Sequence, residues 1–405
     1  MKWEVPILMA VASLAAAPAF SASENGAAAT DFGRIFAPNK KLTLAARTAT
    51  VAHVWPGVMA RYYRLRLRVS NPSGAPWSIT FKSPLQQLLS AFDSRQKDCE
   101  SNEGCWTRRL KGESIRVEFA TSDPSMSATI LTGLFMPDKA QNPFYSPIAG
   151  KAIEAFSELG SSEDEGALKI RRAGERLGLF ATSATRNGTP ASWCCSGVRL
   201  TKELFLTNWH CGAPEEASDI EFWQDGAKSQ ACKNAIVDMS WDEDDISREF
   251  ACRGVPYSSK TYDSAVLRLG TLPDGDDLTE PFNPLAISGS VPVAGMELRV
   301  VQHDACSPKS VARFCNVQRA DVPSWSSQSL PAAQTEFSYN CPTEGGSSGS
   351  PVYEASSGAL IGLHHRGYDA ADPAAPKENN GVKIKQILDN IKEKDLALYR
   401  EITGQ

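Results

Sequence analysis

Residues 339–353 read Tyr-Asn-Cys-Pro-Thr-Glu-Gly-Gly-Ser-Ser-Gly-Ser-Pro-Val-Tyr and set serines among glycines just ahead of a β-type run. A serine hydroxyl attacks only when a base takes its proton and donors receive the charge that develops on the substrate oxygen. Glycine at 345, 346 and 349 lets the backbone turn sharply and aim the amides of Gly346 and Ser348 into one small concavity. A flexible Gly/Ser turn between strands is the competing reading. The rest of the chain decides between them.

A nucleophile needs a base, and Leu204-Phe-Leu-Thr-Asn-Trp-His-Cys-Gly places His210 directly after an apolar run and before Cys211. A disulfide from Cys211 to Cys195 would hold that strand end still. The base needs a carboxylate to fix its tautomer, and Asp263 stands immediately before the buried-looking run Ser-Ala-Val-Leu-Arg-Leu. Asp244 and Asp245 are poorer candidates, since they belong to a charge run of the kind that is usually a solvated loop. Residues 345–349 also fit Gly-x-Ser-x-Gly centred on Ser347, but that elbow requires an acid and then a histidine downstream. His364 and His365 follow with no Asp between, whereas His210, Asp263 and Ser348 run in the order His, Asp, Ser.

Cys195-Ser-Gly, Thr207-Asn-Trp-His-Cys, Asp263-Ser-Ala-Val-Leu-Arg-Leu and Gly346-Ser-Ser-Gly-Ser-Pro resemble the motifs of chymotrypsin-fold serine endopeptidases. Thr343-Glu-Gly-Gly-Ser-Ser-Gly-Ser-Pro-Val and Ile361-Gly-Leu-His resemble the bacterial glutamyl and lysyl endopeptidases. The resemblance implies an all-β fold of two packed six-stranded barrels with the site in the cleft between them. It implies His210 as base, Asp263 as orienter, Ser348 as nucleophile and the amides of Gly346 and Ser348 as oxyanion hole. The chemistry implied is peptide-bond hydrolysis through an acyl-enzyme, with protein or peptide substrates and no metal or organic cofactor. Asn208 and Trp209 replace the commoner small residues before the histidine, and the Cys194-Cys195 doublet is unusual. A catalytically silent binding protein on the same fold is the alternative.

Specificity divides two ways. The aspartate that trypsin-like enzymes place six residues before the serine is Pro342 here. Thr343 and His364 match positions that glutamyl endopeptidases use for an acidic side chain, and Arg366 could add positive charge. Lysyl endopeptidases also carry a histidine there, and Glu378 stands roughly where their selecting carboxylate does. The balance tips slightly toward an acidic P1 residue.

Residues 1–22 begin Met-Lys, run apolar and end in small residues, an export-signal layout that implies a secreted protein. No later stretch approaches the roughly 20 apolar residues of a membrane span. Ten cysteines after such a signal favour disulfides over a metal site. Spacing favours Cys99–Cys105, Cys195–Cys211 and Cys306–Cys315; the remaining four stay open, with Cys232–Cys252 the most natural pair and Cys194 then left for Cys341.

Residues 31–145 form an amino-terminal β-rich domain, a small sandwich. Tyr63, Leu65, Leu67 and Val69 share one strand face while Arg64, Arg66 and Arg68 share the other, which reads as a polar face turned to water. The arginines alternate rather than cluster with aromatics, which argues against nucleic acid. Residues 31–150 carry 16 Lys+Arg against 9 Asp+Glu, net +7, and residues 151–405 carry 25 against 36, net −11. Independently solvated surfaces explain this division, and packing of the basic domain on the acidic one is the sharper hypothesis. Residues 146–176 read as a linker, with Arg171-Arg172 and Arg176 as possible processing sites. Residues 177–405 form the larger domain of short strands, ending in a helix set by Ile384, Ile387, Leu388, Ile391 and Leu396.

Overall fold

The computed structural model describes residues 62–136, 153–156, 165–186, 189–212, 223, 230–242, 248–272, 285–289, 291–323, 334–367 and 377–405, with short strands between 34 and 59. The expected export segment 1–22, residues 220–222 of the short strand that the sequence suggests at Ile220–Trp223, Asp244 and Asp245, and residues 146–152 and 157–164 of the expected linker lie outside the described residues. No helix among the described residues is long and apolar enough to cross a membrane.

The amino-terminal region is built on β1 (Tyr62–Ser70), β2 (Trp77–Lys82), β3 (Leu88–Asp93), β4 (Ser114–Thr121) and β5 (Ser127–Met136). β1 pairs with β5, while β2 lies between β4 and β3 in a second sheet. Period-two alternation turns Leu65, Leu67 and Val69 inward, where they pack with Ile79, Phe81, Ile115 and Val117.

The arginine face of β1 is covered at its first member, while Arg66 and Arg68 stay partly exposed. Arg64 is wholly buried, its Nη2 2.5 Å from Asp238 Oδ2 and its Nε 2.7 Å from Glu249 Oε2. Arg66 donates to Asn234 Oδ1 at 2.5 Å. Arg109 adds its backbone N–H to Glu249 Oε1 at 2.8 Å and its Nη1 to Asp238 Oδ2 at 2.9 Å. Its guanidinium also lies 5.4 Å and 5.0 Å from the ring centroids of Tyr62 and Trp241. Alternation tells which residues share a face; it does not tell what covers that face. Burial alone would push the Asp238 carboxyl up, but Arg109 and Arg64 override it and hold it at about 2.

Between the domains, β6 (Ile153–Ala155) pairs antiparallel with residues 310–312, and α1 (Glu165–Gly174) buries Ile170 and Ala173 in the largest core cluster. These parts of residues 146–176 are therefore packed against β-strand residues 310–312 and the largest core cluster, with Arg171 and Arg172 inside a helix.

A first barrel takes β7 (Leu177–Arg186), β8 (Thr189–Arg199), β9 (Leu204–Thr207), β10 (Ile236–Asp238), β11 (Glu249–Ser259) and β12 (Ser264–Thr271), with α2 (Gln230–Asn234) entering β10. It closes in the order β7-β8-β9-β12-β11-β10. The second takes β13 (Glu297–Gln302), β14 (Ser310–Val322), β15 (Glu336–Tyr339), β16 (Pro351–Glu354), β17 (Leu360–Arg366) and β18 (Asn379–Lys383). Its order is β14-β13-β16-β17-β18-β15, and pairing of β15 back onto β14 closes it, so the fold is the expected pair of six-stranded antiparallel barrels. The carboxyl-terminal helix is two helices, α3 (Ile384–Lys394) and α4 (Leu396–Thr403). Asp395 ends the first and caps Leu398 N–H, which resets the phase: Leu398 and Ile402 turn inward, and Leu396 is exposed.

Disulfides join Cys99 to Cys105, Cys195 to Cys211 and Cys232 to Cys252. The two others depart from the spacing-based expectation: Cys194 pairs with Cys306, not Cys341, and Cys315 pairs with Cys341, not Cys306. Strand pairing explains both. Cys315 lies on β14 opposite the end of β15, where Cys341 follows Tyr339. Cys194 and Cys195 are neighbours on β8, so they point to opposite faces; one serves the barrel's own Cys211 and the other reaches out to the second barrel.

Candidate active site

Three loops approach one another, with Cys211 Sγ 4.0 Å from Ser348 O. β9 ends at Thr207, and the chain turns through a short 3-10 segment at His210–Gly212. Asp263 sits in the turn between β11 and β12 at φ 37°, a left-handed conformation that non-glycine residues adopt rarely. Asn208 Nδ2 donates to the Asp263 carbonyl at 2.8 Å and so ties the two turns together.

His210 Nδ1 lies 2.7 Å from Asp263 Oδ2, and His210 N–H donates to Oδ1 at 3.0 Å. Facing a carboxylate, Nδ1 carries the proton, which leaves Nε2 as the basic nitrogen. Nε2 is buried and has no hydrogen-bond partner among the described residues, the Ser348 hydroxyl included. Catalytic hydrogen bonds are often long before substrate arrives.

The serine loop is held from behind. Ser348 O accepts from Ser196 N–H at 2.7 Å, and Ser196 Oγ donates to Gly346 O at 3.0 Å. Gly346 and Gly349 adopt φ 97° and 85°. A Cβ at Gly346 would meet His303 O at 2.7 Å, and one at Gly349 would meet Ser196 O at 2.1 Å, so glycine is required at both. Ser347 N–H donates to Glu344 O and Ser347 Oγ accepts from Glu344 N–H, which commits this serine to the turn itself.

Beside these residues β17 carries two consecutive histidines with opposite surroundings. His364 Nδ1 is 2.5 Å from the Tyr339 hydroxyl; burial first, then the charge of His365 and His210, holds it down at about 3, so it is neutral. His365 is placed between two carboxylates, with Nδ1 3.3 Å from Asp263 Oδ2 and Nε2 3.0 Å from Glu336 Oε2. Burial alone would lower it, but Glu336 and Asp263 override burial and raise it to about 10. Asp263 shows the mirror case: burial would push its carboxyl up, while His210 and His365 keep it well below the ordinary range.

The sequence-based pocket residues fall in two groups. Thr343 Oγ1 accepts from Asn379 Nδ2 at 2.8 Å, close along the chain to the Tyr339–His364 pair. Arg366 is partly exposed at the end of β17. Glu378 is engaged elsewhere, accepting from Arg319 Nε at 2.8 Å and Ser338 Oγ at 2.6 Å. The sequence reading gave no site role to Ser196, Asn208, Glu336 or His365: Ser196 appeared there only within a motif, Asn208 only as a departure before the histidine and His365 only as the second member of a His-His pair, and Glu336 belongs to a strand not foreseen at all.

Residues 195–363 match the trypsin-like peptidase domain family, a span that contains His210, Asp263 and Ser348. Secreted RxLR effector protein 73 of Plasmopara viticola is 27% identical over 302 residues, covering 69% of each chain. Among solved structures, a protease from M. tuberculosis in its active form aligns with TM-score 0.39 and 13% identity over 55% of this chain and 82% of its own. A serine endoprotease from Yersinia pestis aligns with TM-score 0.38 and 14% identity over 57% of this chain and 67% of its own.

Proposed function

We propose that this protein is a secreted serine endopeptidase. The observation that carries the reading is the His210–Asp263 pair at 2.7 Å, with the unpartnered Nε2 in the same cleft as a glycine-shaped serine loop. His210 Nε2 takes the Ser348 proton as Oγ attacks the scissile carbonyl, and the amides of Gly346 and Ser348 receive the oxyanion. The proton then passes to the leaving amine, and water attacks the acyl-enzyme by the same route. Asp263 holds the tautomer and stabilises the imidazolium.

For the residue before the cut, Thr343, His364, Arg366 and Glu378 are the candidate selectors. A neutral His364 offers no charge, and Glu378 is neutralised by Arg319, so an acidic side chain would rely on Arg366. Cuts only after Lys in a mixed peptide library would refute this preference.

The amino-terminal domain is proposed as a buttress rather than a plug. Its described contacts include Asn234, Asp238, Trp241 and Glu249, and its Trp106 and Leu134 pack in one cluster with the Cys194–Cys306 bridge, whose Cys306 N lies behind Gly346. Processing at Arg171-Arg172 would require α1 to unwind. Deleting residues 31–150 should lower stability and activity; a rise in activity would favour an inhibitory role.

The second reading is a catalytically silent binder, favoured by the missing Ser348–His210 hydrogen bond and by the relative described as an effector. A fluorophosphonate probe separates the two. Labelling that disappears in Ser348→Ala supports the peptidase, and a protein untouched by the probe supports the silent binder.

A further inference from the structure

Nothing in the usual three-residue account requires a second, fully buried histidine on the orienting carboxylate, yet His365 is there. Its two ring nitrogens face two different acids, so both must carry protons to be satisfied. Glu336 sits at the start of β15 with its side chain 1% exposed, and its Oε2 has an imidazole nitrogen 3.0 Å away. A lone carboxylate buried so deeply would be protonated or ruinous to the fold; with His365 as imidazolium, the pair is neutral. The imidazolium in turn shares Oδ2 of Asp263 with His210.

We infer that His365, gripped by Glu336, is a positioning residue that fixes the Asp263 carboxylate and offsets part of its charge, so that the acid limb of the pH–rate profile lies lower than Asp263 alone would set. The inference rests on the peptidase reading above. An anionic carboxylate beside His210 favours its protonated form, and a fixed cation on that carboxylate weakens the preference. The groups that face His365 are Asp263 from the turn before β12, Glu336 from β15, His210 from the turn after β9 and His364 on its own strand. On the neighbouring strand β18, the Lys383 ammonium is paired with Asp321.

The experiment uses the full chain and the double variant His365→Asn with Glu336→Gln, which removes both charges and leaves no uncompensated acid in the core. Wild type and variant are first titrated with the fluorophosphonate, then profiled for kcat/KM against pH. The expected result is labelling of both and an acid limb moved upward by about one pH unit in the variant. Labelling of both with superimposable limbs overturns the role of His365 and leaves the peptidase reading standing. A wild type that is not labelled overturns the two together. As a measurement independent of variant folding, 15N spectra of histidine-labelled wild type should show both His365 ring nitrogens protonated at pH 8; a neutral ring there overturns the inference.

Discussion

Among the described residues, two buried ionic clusters share one design. At the domain interface Arg64 bridges Asp238 and Glu249, and Arg109 adds a second base to Asp238. In the cleft His365 bridges Asp263 and Glu336, and His210 adds a second base to Asp263. The difference is the base. A guanidinium keeps its charge at any pH a protein survives, so the first cluster is a fixed clamp. In the second cluster His365, raised to about 10, stays charged through neutral pH as the arginine does, and it is His210 whose imidazole the proposed mechanism asks to take and return a proton.

The sharpest way to break this comparison is to amidate the two aspartates. Asp263→Asn should lower kcat about 10⁴-fold by disturbing the tautomer of His210. Asp238→Asn should leave the chemistry of the folded protein near wild type and lower its unfolding midpoint. Steady-state kinetics and denaturant curves on both proteins decide; swapped phenotypes would end the distinction.

Next in size is Arg64→Met. It leaves Asp238 and Glu249 buried with one cation fewer, which should cost about 3–5 kcal/mol of stability. Urea unfolding reads the loss, and limited proteolysis should then cut between the domains. A loss under ~1 kcal/mol would mean that water reaches the cluster.

A smaller effect, with a definite sign, comes from pH. His365 is raised from 6.5 to about 10, so its contribution is complete below 6.5 and is lost as pH climbs through 10. Asp238 is lowered from 3.8 to about 2, so its contribution is complete above 3.8 and is lost as pH falls through 2. His364, lowered to about 3, favours the folded state above 6.5 and loses that contribution on acidification. Melting temperatures of Ser348→Ala, which cannot digest itself, should therefore fall between pH 7 and 10, and the His365→Asn/Glu336→Gln pair should flatten that slope. An alkaline slope unchanged by the pair would assign it to other groups.

The smallest effect belongs to the rim. Arg253 and Asp98 join the domains at 3.2 Å with side chains 47% and 62% exposed. Arg253→Ala should change stability by no more than ~0.5 kcal/mol, since water and salt screen such pairs. A larger loss in urea unfolding would show that the clamp extends to the surface.

Much of the barrel fold was legible because β9 and β12 are short apolar runs ending at informative residues, His210 after one and Asp263 before the other. Strand β11 was hidden, since Arg253, Gly254 and Pro256 break its alternation and its pairing slips twice in register. The candidate site was legible where chemistry leaves a local motif, as around Ser348. It was not legible where a residue acts across the barrel: Glu336 and His365 are 29 positions apart and meet only because β15 and β17 both flank β18. The arginine face of β1 was read as solvated because nothing local reveals a covering surface.

The Cys194-Cys195 doublet gives the molecule a dependence on its surroundings. One bond secures the turn that bears His210, while the other spans 112 residues and ties the first barrel to the loop behind Gly346. In a reducing compartment each barrel would still have its own apolar core, but base and oxyanion loop would lose their common anchor. On the proposed reading, forming these two bonds would be a condition for assembling the site, separate from any cut in the chain.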